Sequence, residues 1–476
     1  MSDCMSFFMG GRWVDPSGTG RLPIVNPATD TVVGQVALAD ASDVDRAVTK
    51  AASAFPAFAR TSVAERRALL ERIVAVYQTR MPELAAAMTT EMGAPHGFAL
   101  SLQAAVGLGH LAQAVAELKT WQPLMIQGTT AIVREPVGVC ALITPWNWPM
   151  NQICAKVAAA LAAGCTMVLK PSELAPLSAT LFARIMEEAG VPAGVFNLIH
   201  GSGEEAGAAL CAHPLVDMVS FTGSQRGGVA AAIAAAPTVK RVTQELGGKS
   251  ANIVLDDADL DAVIPGAVQA CFLNSGQSCN APTRLLVPAV WHDRAAALAA
   301  ATAEAIIVGD PLSDGTSLGP LANERQFNRV QALIRQGVAE GARLMAGGPG
   351  RPAGLDRGCY ARPTIFADVR PDMTIAREEI FGPVLSIIPY GDEEDAIRIA
   401  NDTIYGLSAH VHSVSIDRAR AVAGRLRTGN VHINGAWPDI AAPFGGYKQS
   451  GNGREWGLHG ILDYTEMKSV FGYQSS

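Results

Sequence analysis

Apolar residues recur at the spacing of amphipathic helices between residues 40 and 93, after an extended entry segment that ends near Ile24. The sequences Ser42-x-x-Asp45 and Ser62-x-x-Glu65 each resemble a helix capping box, and an amphipathic stretch follows each of them. Pro82 suits the first turn of a further helix, and Gly93 suits its end. The pattern therefore predicts three consecutive helices in this region.

From about residue 129, short apolar runs alternate with helical stretches. The first runs predict strands at Val137–Ile143, Thr166–Leu169, Val195–Ile199 and Met218–Phe221. A second alternating region begins near Ser250 and extends to a predicted strand at Gly429–Ile433. Strands that alternate with helices indicate parallel sheets with right-handed crossovers. We therefore expect an α/β fold, with a Rossmann-like doubly wound nucleotide-binding domain and a second α/β domain.

Composition narrows the functional classes. The chain has 476 residues, with 37 Lys and Arg against 44 Asp and Glu, and it contains no basic run, so no nucleic-acid partner is expected. No stretch approaches ~20 uninterrupted apolar residues, so no membrane span is predicted. The first residues lack a basic end followed by an apolar core, which leaves the cytoplasm as the expected location. The eight cysteines are scattered, without zinc-ligand spacing, so neither a disulfide framework nor a metal site is expected.

Three polar residues at predicted strand and helix junctions are candidates for catalysis. Cys279 lies in a small polar loop, where a thiolate can act as a nucleophile, although it could also be an ordinary loop cysteine. Glu245 precedes two glycines at the junction of the two α/β regions. It could be a general base that faces a cleft, or a solvated carboxylate beside a turn. Asn147 stands among two prolines and two tryptophans, where it could stabilise an oxyanion or cap a helix.

Two glycine-rich junctions, Gly201–Gly207 and Phe221–Gly228, are candidates for binding a pyrophosphate at a helix start. The first is one residue longer than the usual dinucleotide fingerprint, and either could be a tight turn. Lys170 and Glu173 follow a predicted strand, and an acidic side chain at that edge can accept from ribose hydroxyls. These segments together favour a nucleotide cofactor.

Seven motifs resemble those of the aldehyde dehydrogenase family and occur in that family's order: PWNWP, KPSE, FTGS, ELGGKS, GQSC, EIFGPV and PFGGYKQSG. The resemblance implies a dinucleotide-binding domain over 1–122 and 140–246 and a catalytic domain over 247–445. It also implies a small β oligomerisation element over 123–139 and 446–476, and hence a homodimer or homotetramer. It implies no metal.

The resemblance also implies roles for individual residues. Cys279 is the expected nucleophile and Glu245 the base that activates water, while Asn147 and the Cys279 backbone N–H form the expected oxyanion hole. Lys156 and Glu455 are expected to relay protons. The expected cofactor contacts are Ile143, Thr144, Trp146, Lys170, Glu173, Gly203, Gly207, Gly223, Ser224, Gly228, Leu246, Glu379 and Phe381. The expected lining of the substrate tunnel is Trp148, Met150, Asn151, Ala155, Ser278, Asn280, Trp437 and Phe444.

The implied reaction is oxidation of a small-molecule aldehyde with an apolar tail to its carboxylic acid, with water as acyl acceptor. NAD is the expected hydride acceptor, because Glu173 would repel the 2′-phosphate of NADP, although Lys170 keeps NADP as an alternative. Ala155 stands where several relatives carry a bulky aromatic, which predicts a wide entrance. A CoA-acylating enzyme and a non-catalytic relative with a binding or structural role are the competing interpretations. The carboxylate at Glu245 favours hydrolysis over transfer to CoA.

Overall fold

The structure, a computed structural model of the protein, describes residues 3–474. Within those residues the strands are β1 Phe7–Met9, β2 Arg12–Val14, β3 Arg21–Asn26, β4 Thr31–Ala37, β5 Leu124–Gln127, β6 Thr130–Pro136, β7 Val139–Thr144, β8 Thr166–Pro171, β9 Phe196–Leu198, β10 Met218–Thr222, β11 Arg241–Glu245, β12 Ala251–Val254, β13 Arg284–Pro288, β14 Arg343–Ala346, β15 Thr364–Ala367, β16 Val384–Tyr390, β17 Ser408–His412, β18 Asn430–Ile433, β19 Gly451–Asn452 and β20 Thr465–Val470.

The α-helices are α1 Ala41–Phe58, α2 Val63–Met92, α3 His96–Phe98, α4 Ala105–Leu118, α5 Pro149–Ala163, α6 Pro176–Glu188, α7 Ala208–Ala212, α8 Gln225–Ala235, α9 Leu260–Phe272, α10 His292–Glu304, α11 Glu324–Ala339, α12 Thr374–Arg377, α13 Glu393–Asn401, α14 Ile416–Ala423 and α15 Gly457–Asp463. Two π-helical segments, Ala99–Ala104 and Gly203–Gly207, lead into α4 and α7. Short 3₁₀ turns lie at Ala236–Thr238, Leu273–Gly276, Ala289–Trp291 and Lys448–Ser450.

The first helices follow the predicted pattern with two corrections. The capping box of α1 is formed by Asp40 and Asp43, not by Ser42 and Asp45, because the Asp40 carboxylate accepts from the backbone N–H of Asp43. The box of Ser62 and Glu65 is confirmed at the start of α2, and Gly93 ends that helix with a φ of 77°. Pro82 begins no third helix. It lies inside α2, whose buried face continues on both sides of it.

The first sheet contains eight strands in the order β19-β11-β10-β7-β8-β9-β1-β2. The five central strands are parallel, and the three strands at its edges are antiparallel. Helices α2, α4, α5 and α6 cover one face, and α1, α7 and α8 cover the other. This arrangement confirms the predicted doubly wound sheet. Its register aligns the carboxyl ends of four strands, since Ile143 pairs with both Lys170 and Phe221, and Thr222 pairs with Glu245.

One described segment, His96–Leu118, is long and apolar enough by length and composition to cross a membrane. In the structure it packs against α2 and α5, and His110, Leu111 and Leu118 are buried there. One face of this segment therefore packs into the core of the first α/β unit.

The second sheet contains seven strands in the order β14-β15-β16-β13-β12-β17-β18, all parallel except β14. Arg284, at the start of β13, donates to the carbonyls of Lys249, Ile399 and Ala400, each at 2.9 Å. The guanidinium thus ties β13 to the loop before β12 and to the end of α13. The second α/β region of the sequence is confirmed.

A separate three-stranded antiparallel sheet has the order β20-β6-β5 and joins residues 124–136 to 465–470. These residues fall within the expected oligomerisation element. Residues Gly451 and Asn452 fall within the same expected element, but they pair as β19 with β11 at the edge of the first sheet. The C-terminal part of the chain therefore contributes one strand to each of two sheets.

Candidate active site

The candidate site lies where the chain passes from the first sheet to the second. Glu245 is the last residue of β11, and residues 246–250 lead directly to β12. Cys279 follows α9 and the 3₁₀ turn Leu273–Gly276, and it precedes β13. The parallel strands on both sides direct these loops towards one another, at the edge where such sheets bind ligands.

The loop before Cys279 has an unusual backbone. Asn274 and Ser275 have φ values of 55° and 56°, in the left-handed region. At Gly276, a Cβ atom would lie 2.2 Å from the carbonyl oxygen of Gly382, so only glycine fits there. The Asn274 amide holds the turn by donating to the carbonyls of Asn147 (2.8 Å) and Gln277 (3.2 Å). The loop is thus fixed by its own polar side chains, and part of Cys279 remains accessible.

Burial raises the pKa of the Cys279 thiol above its ordinary value, and the nearby carboxylates of Glu245 and Glu379 raise it further. Backbone N–H groups at Cys279 and Asn280 oppose this rise. The resting side chain is therefore a thiol, and it must lose its proton before it can attack a substrate.

Asn147 is buried beside the Cys279 loop. Its Nδ2 donates to the carbonyl of Gln277 at 2.9 Å, and Gln277 is two residues before the cysteine. Helix α5 begins at Pro149 without a side-chain cap, so Asn147 is not the helix cap that the sequence left as an alternative. One N–H of its amide is held by the loop, and within residues 3–474 no acceptor is found for the second.

Glu245 is buried, and neither of its carboxylate oxygens has a hydrogen-bond partner among residues 3–474. Burial raises its pKa well above the ordinary value, and the charge of Glu455 adds to this effect. A Cβ atom at Gly445 would lie 2.8 Å from Glu245 Oε1, so glycine lets the chain pass close to the carboxylate. The alternative of a solvated carboxylate beside a turn is therefore wrong.

A buried ion pair lies near Glu245. Lys156 of α5 donates to the carboxylate of Glu455 and, at 3.0 Å, to the hydroxyl of Ser220. Both members of the pair influence Glu245, since the lysine lowers the pKa of that carboxyl and Glu455 raises it. The two residues expected to relay protons are thus next to the expected base.

Two glycines after Glu245 allow the two α/β units to approach closely. A Cβ atom at Gly248 would lie 2.3 Å from the carbonyl oxygen of Cys279, and one at Gly247 would lie 2.4 Å from Glu379 Oε2. The backbone N–H of Gly248 donates to Glu379 at 2.9 Å, and burial raises the pKa of Glu379 to about 7. Phe381, with a φ of 61°, packs edge-on against Trp146 at a centroid distance of 5.5 Å.

The carboxyl ends of the first sheet carry the expected nucleotide contacts. Lys170 Nζ donates to the carbonyls of Pro171 (3.0 Å) and Gly201 (2.6 Å) and lies 3.6 Å from the Glu173 carboxylate. Ser224 caps α8 by accepting from the N–H of Gly227. The buried hydroxyls of Thr144 and Thr222, at the ends of β7 and β10, have no partner within the described chain.

The glycines of this region have different surroundings. Gly228 lets α8 pack on Leu246, because a Cβ atom there would lie 2.6 Å from a methyl group of that leucine. At Gly223 it would lie 2.8 Å from the ring of Phe221. Gly203 and Gly207 lie in the π-helical turn, where Gly203 has open space around it and a Cβ at Gly207 would meet only ordinary contacts. Ile143 is the neighbour of Lys170 in the sheet.

A cavity of about 420 Å³ opens beside Glu379. Gln225, inside the junction Phe221–Gly228, lines it. Sequence reasoning missed other lining residues, because they lie outside the quoted motifs or in distant segments: Arg329, Arg377, Glu378, Thr403, Ile404 and Tyr405. Arg329 of α11 donates to the carbonyl of Glu379 at 3.0 Å. No sequence pattern around Arg329 marks it. Lys249, inside ELGGKS, was also missed; its Nζ is buried without a partner in the described chain, and burial lowers its pKa to about 7.

The expected tunnel residues fall into distinct environments. Trp148 Nε1 donates to Ser278 Oγ at 2.8 Å, beside the nucleophile, while Asn280 is partly exposed. Trp437 is 72% exposed on a loop. Ala155 and Phe444 are buried.

Met150 is a correction to the expected tunnel. It has no exposed surface and packs in the first core, where a Cβ atom at Gly107 would lie 3.0 Å from its own Cβ. It lies at the start of α5, on the face turned towards α4, so its side chain lines no open tunnel.

Comparisons with known proteins agree with this geometry. A sequence model described as the aldehyde dehydrogenase family matches residues 13–470. The chain is 57% identical over its whole length to the whole length of a 3-succinoylsemialdehyde-pyridine dehydrogenase from a Pseudomonas species.

Solved structures are similar as well. A mutant of aldehyde dehydrogenase C from Pseudomonas syringae, in complex with NAD⁺ and octanal, is 53% identical, with a TM-score of 0.99 over 99% of this chain and 98% of that chain. An aldehyde dehydrogenase from Mycobacterium tuberculosis in complex with NAD⁺ is 40% identical, with a TM-score of 0.96 over 99% of this chain and 98% of that chain.

Proposed function

Because the chain belongs to the aldehyde dehydrogenase family, we propose that it oxidises an aldehyde to the carboxylic acid through a thioester on Cys279, with water as acyl acceptor. One observation carries the choice of water. Glu245 is a buried carboxylate without a hydrogen-bond partner in residues 3–474, at the junction that also holds the loop of Cys279. Such a group is costly to bury and is suited to take a proton from a bound water.

The first half of the reaction uses Cys279 and Asn147. The partly accessible Cys279 thiol first releases its proton to solvent. The thiolate then attacks the aldehyde carbon and forms a C–S bond, while the carbonyl electrons move to oxygen. The free N–H of the Asn147 amide and the backbone N–H of Cys279 stabilise this oxyanion. When the C=O bond forms again, a hydride leaves the carbon and a thioester remains on Cys279.

The second half uses Glu245. Its carboxylate takes a proton from water, whose oxygen attacks the thioester carbon, and the C–S bond breaks to release the acid and the Cys279 thiolate. The ion pair of Lys156 and Glu455 lies near this carboxyl, and we propose that the proton leaves through it.

The residues present fit NAD. The unpartnered hydroxyls of Thr144 and Thr222, together with the cavity beside Glu379, provide polar groups at the carboxyl edge of the first sheet. NAD, when bound, supplies the hydride acceptor for the oxidation. Lys170 donates to two carbonyls and lies beside Glu173. The Glu173 carboxylate is then the group that accepts from the adenosine ribose, and its negative charge disfavours the 2′-phosphate of NADP.

We also propose that the remaining expected residues contact the cofactor, because of where they lie in the fold: Ile143, Trp146, Gly203, Gly207, Gly223, Ser224, Gly228, Leu246, Glu379 and Phe381. The substrate is an aldehyde with a largely apolar tail, because the aromatic pair of Trp148 and Phe98 adjoins Ser278, the residue before Cys279. Ala155 leaves room at the entrance.

We also propose a homodimer or homotetramer in the cytoplasm. Met125, Met467 and Phe471 expose apolar surface on or beside the three-stranded sheet, which suits a contact with a second copy. The scattered spacing of the eight cysteines suits a reducing compartment. Sedimentation velocity of the purified protein tests the oligomer, and a monomer at micromolar concentration would contradict it.

The acyl acceptor is tested by the product. Aldehydes from short to long and from neutral to acidic are incubated with NAD, with and without CoA, while NADH and the acyl product are measured. We expect NADH and free acid in equal amounts without CoA. A strict requirement for CoA, with acyl-CoA as product, would favour the acylating alternative; a protein that forms no NADH with any aldehyde would favour the non-catalytic one.

A further inference from the structure

Asn151 is the one residue of α5 that is not buried. The other residues of this helix, from Pro149 to Ala163, are enclosed in the first unit. The accessible surface at this end of α5 therefore consists of a single side-chain amide. It lies four residues beyond Asn147, among the residues expected to line the substrate tunnel.

His110 fixes the orientation of this amide. Asn151 Oδ1 lies 2.7 Å from His110 Nε2. A carbonyl oxygen can only accept, so the ring carries its proton on Nε2. Burial lowers the pKa of His110, which keeps the ring neutral, and it is held by packing against Trp456 at a centroid distance of 5.3 Å.

The consequence concerns the other end of the Asn151 amide. Because Oδ1 is held by His110, Nδ2 and its two N–H groups point away from the ring, and among the described residues no atom accepts from them. The aromatic wall beside these two residues comprises Trp456, which packs on His110 and stacks on Phe444 at 4.3 Å, and Trp148, three residues before Asn151, which packs edge-on against Phe98 at 5.5 Å. An oriented donor in an aromatic wall is the arrangement by which a pocket distinguishes polar from apolar ligands.

We propose that Asn151, positioned by His110, is a specificity determinant that binds a second carbonyl group in the tail of the aldehyde. The preferred substrate class is then the oxoaldehydes, which carry a ketone along the chain, over alkanals of the same length. This inference rests on the proposed function and adds to it the class of substrate. A ketone oxygen accepts from Nδ2 without bringing a charge into the apolar wall.

Two variants remove the donor in different ways. Asn151→Leu keeps the size of the side chain and removes its polar atoms. Asn151→Asp keeps the shape and an oxygen that can still accept from His110, but it replaces the N–H groups by an acceptor, so it tests the idea if the leucine variant folds poorly. Gln113→Leu is the matched control, because Gln113 lies one turn further along α4 and bonds to Glu117 instead.

The measurement is kcat/KM with NAD for two pairs of probes, 4-oxopentanal with pentanal and 5-oxohexanal with hexanal. We expect the ratio of oxoaldehyde to alkanal to fall about tenfold in both Asn151 variants for at least one pair, the effect of one neutral hydrogen bond, mainly through a higher KM for the oxoaldehyde. The ratio is expected to stay unchanged in Gln113→Leu.

His110→Phe tests the positioning role separately. It keeps a ring against Trp456 but frees the amide to rotate, so we expect the KM for the oxoaldehyde to rise while kcat changes little. Unchanged ratios in both Asn151 variants, while alkanals are still oxidised, would overturn the assignment and leave the proposed function intact. Failure of the parent protein to form NADH with these four probes and with every aldehyde of the panel described above would overturn the proposed function itself.

Discussion

Replacing Glu245 by glutamine separates the two halves of the proposed reaction. The amide has the same shape but cannot take a proton from water, whereas the formation of the thioester depends on Cys279 and Asn147. We therefore expect a rapid burst of about one NADH per functioning Cys279, followed by slow turnover. Loss of a positioned general base typically costs 10²–10⁴-fold in rate, so the steady rate should fall by roughly that factor.

The same substitution is expected to stabilise the fold. Burial raises the Glu245 pKa well above its ordinary value of 4.5, so the folded protein keeps a proton that the unfolded chain loses. This group's contribution to stability is present below pH 4.5 and is lost as the pH rises through the folded pKa. Glutamine stays neutral, so the free energy of unfolding at pH 8 should be higher in the variant than in the parent. The difference should be about 1.4 kcal/mol for each unit by which burial raises the Glu245 pKa, counted up to pH 8. In the parent, turnover should increase with pH over the same range, because only the ionised carboxyl is a base.

Stopped-flow absorbance and thermal unfolding at pH 6 and pH 8 measure both effects. Glu91→Gln is the control: Glu91 is also buried, and burial raises its pKa to about 7, but its carboxylate accepts from the backbone N–H groups of Leu177 (2.6 Å) and Ser178 (3.1 Å) at the start of α6. That variant should lose stability and show no burst. A Glu245→Gln protein that turns over steadily at the parent rate would refute the role of Glu245.

Three further substitutions test the rest of the site. Cys279→Ala should abolish oxidation of every aldehyde while NAD still binds, as measured by calorimetry; residual turnover at the parent rate would contradict the nucleophile. Glu173→Gln should raise the kcat/KM for NADP relative to NAD by about tenfold, because it removes one like charge from the 2′-phosphate, and an unchanged ratio would argue that Glu173 does not face the ribose. Gly248→Ala should lower turnover strongly, since its Cβ would lie 2.3 Å from the Cys279 carbonyl, whereas Gly266→Ala, with open space around it, should leave the rate unchanged.

Most of the fold could be predicted from sequence because its strands are buried on both faces and are separated by amphipathic helices. Strand β10 begins at the predicted residue, Met218, and ends at Thr222, one residue after the predicted end. Pro82 was misinterpreted because a local signal for a helix start competes with packing. The residues around Pro82 continue one buried face, and burial of that face outweighs the loss of one backbone hydrogen bond.

The candidate site was predictable only where chemistry and local sequence coincide. Glu245 and Cys279 stand in distinctive motifs, whereas Arg329 approaches Glu379 from the middle of α11, across 50 positions of sequence. The partner of Asn151 was equally hidden, because His110 lies 41 positions away on another helix. Met150 was misplaced because proximity in sequence to a tunnel residue says nothing about which face of α5 a side chain occupies.

The edge strand β19 has a consequence for how the enzyme is made. Ser450 donates through its hydroxyl to the carbonyl of Gly247, which is 203 positions earlier, and Gly451 pairs with Glu245. At synthesis rates of about 5–20 residues per second, the carboxyl end of β11 therefore waits roughly 10–40 s on the ribosome for its neighbour. During that interval β11 presents an unpaired edge and Lys156 lacks its counter-ion Glu455, so the growing chain carries its nucleophile long before it has a finished base. Nascent chains interrupted before residue 451 are expected to be inert towards aldehydes and to be clients of chaperones.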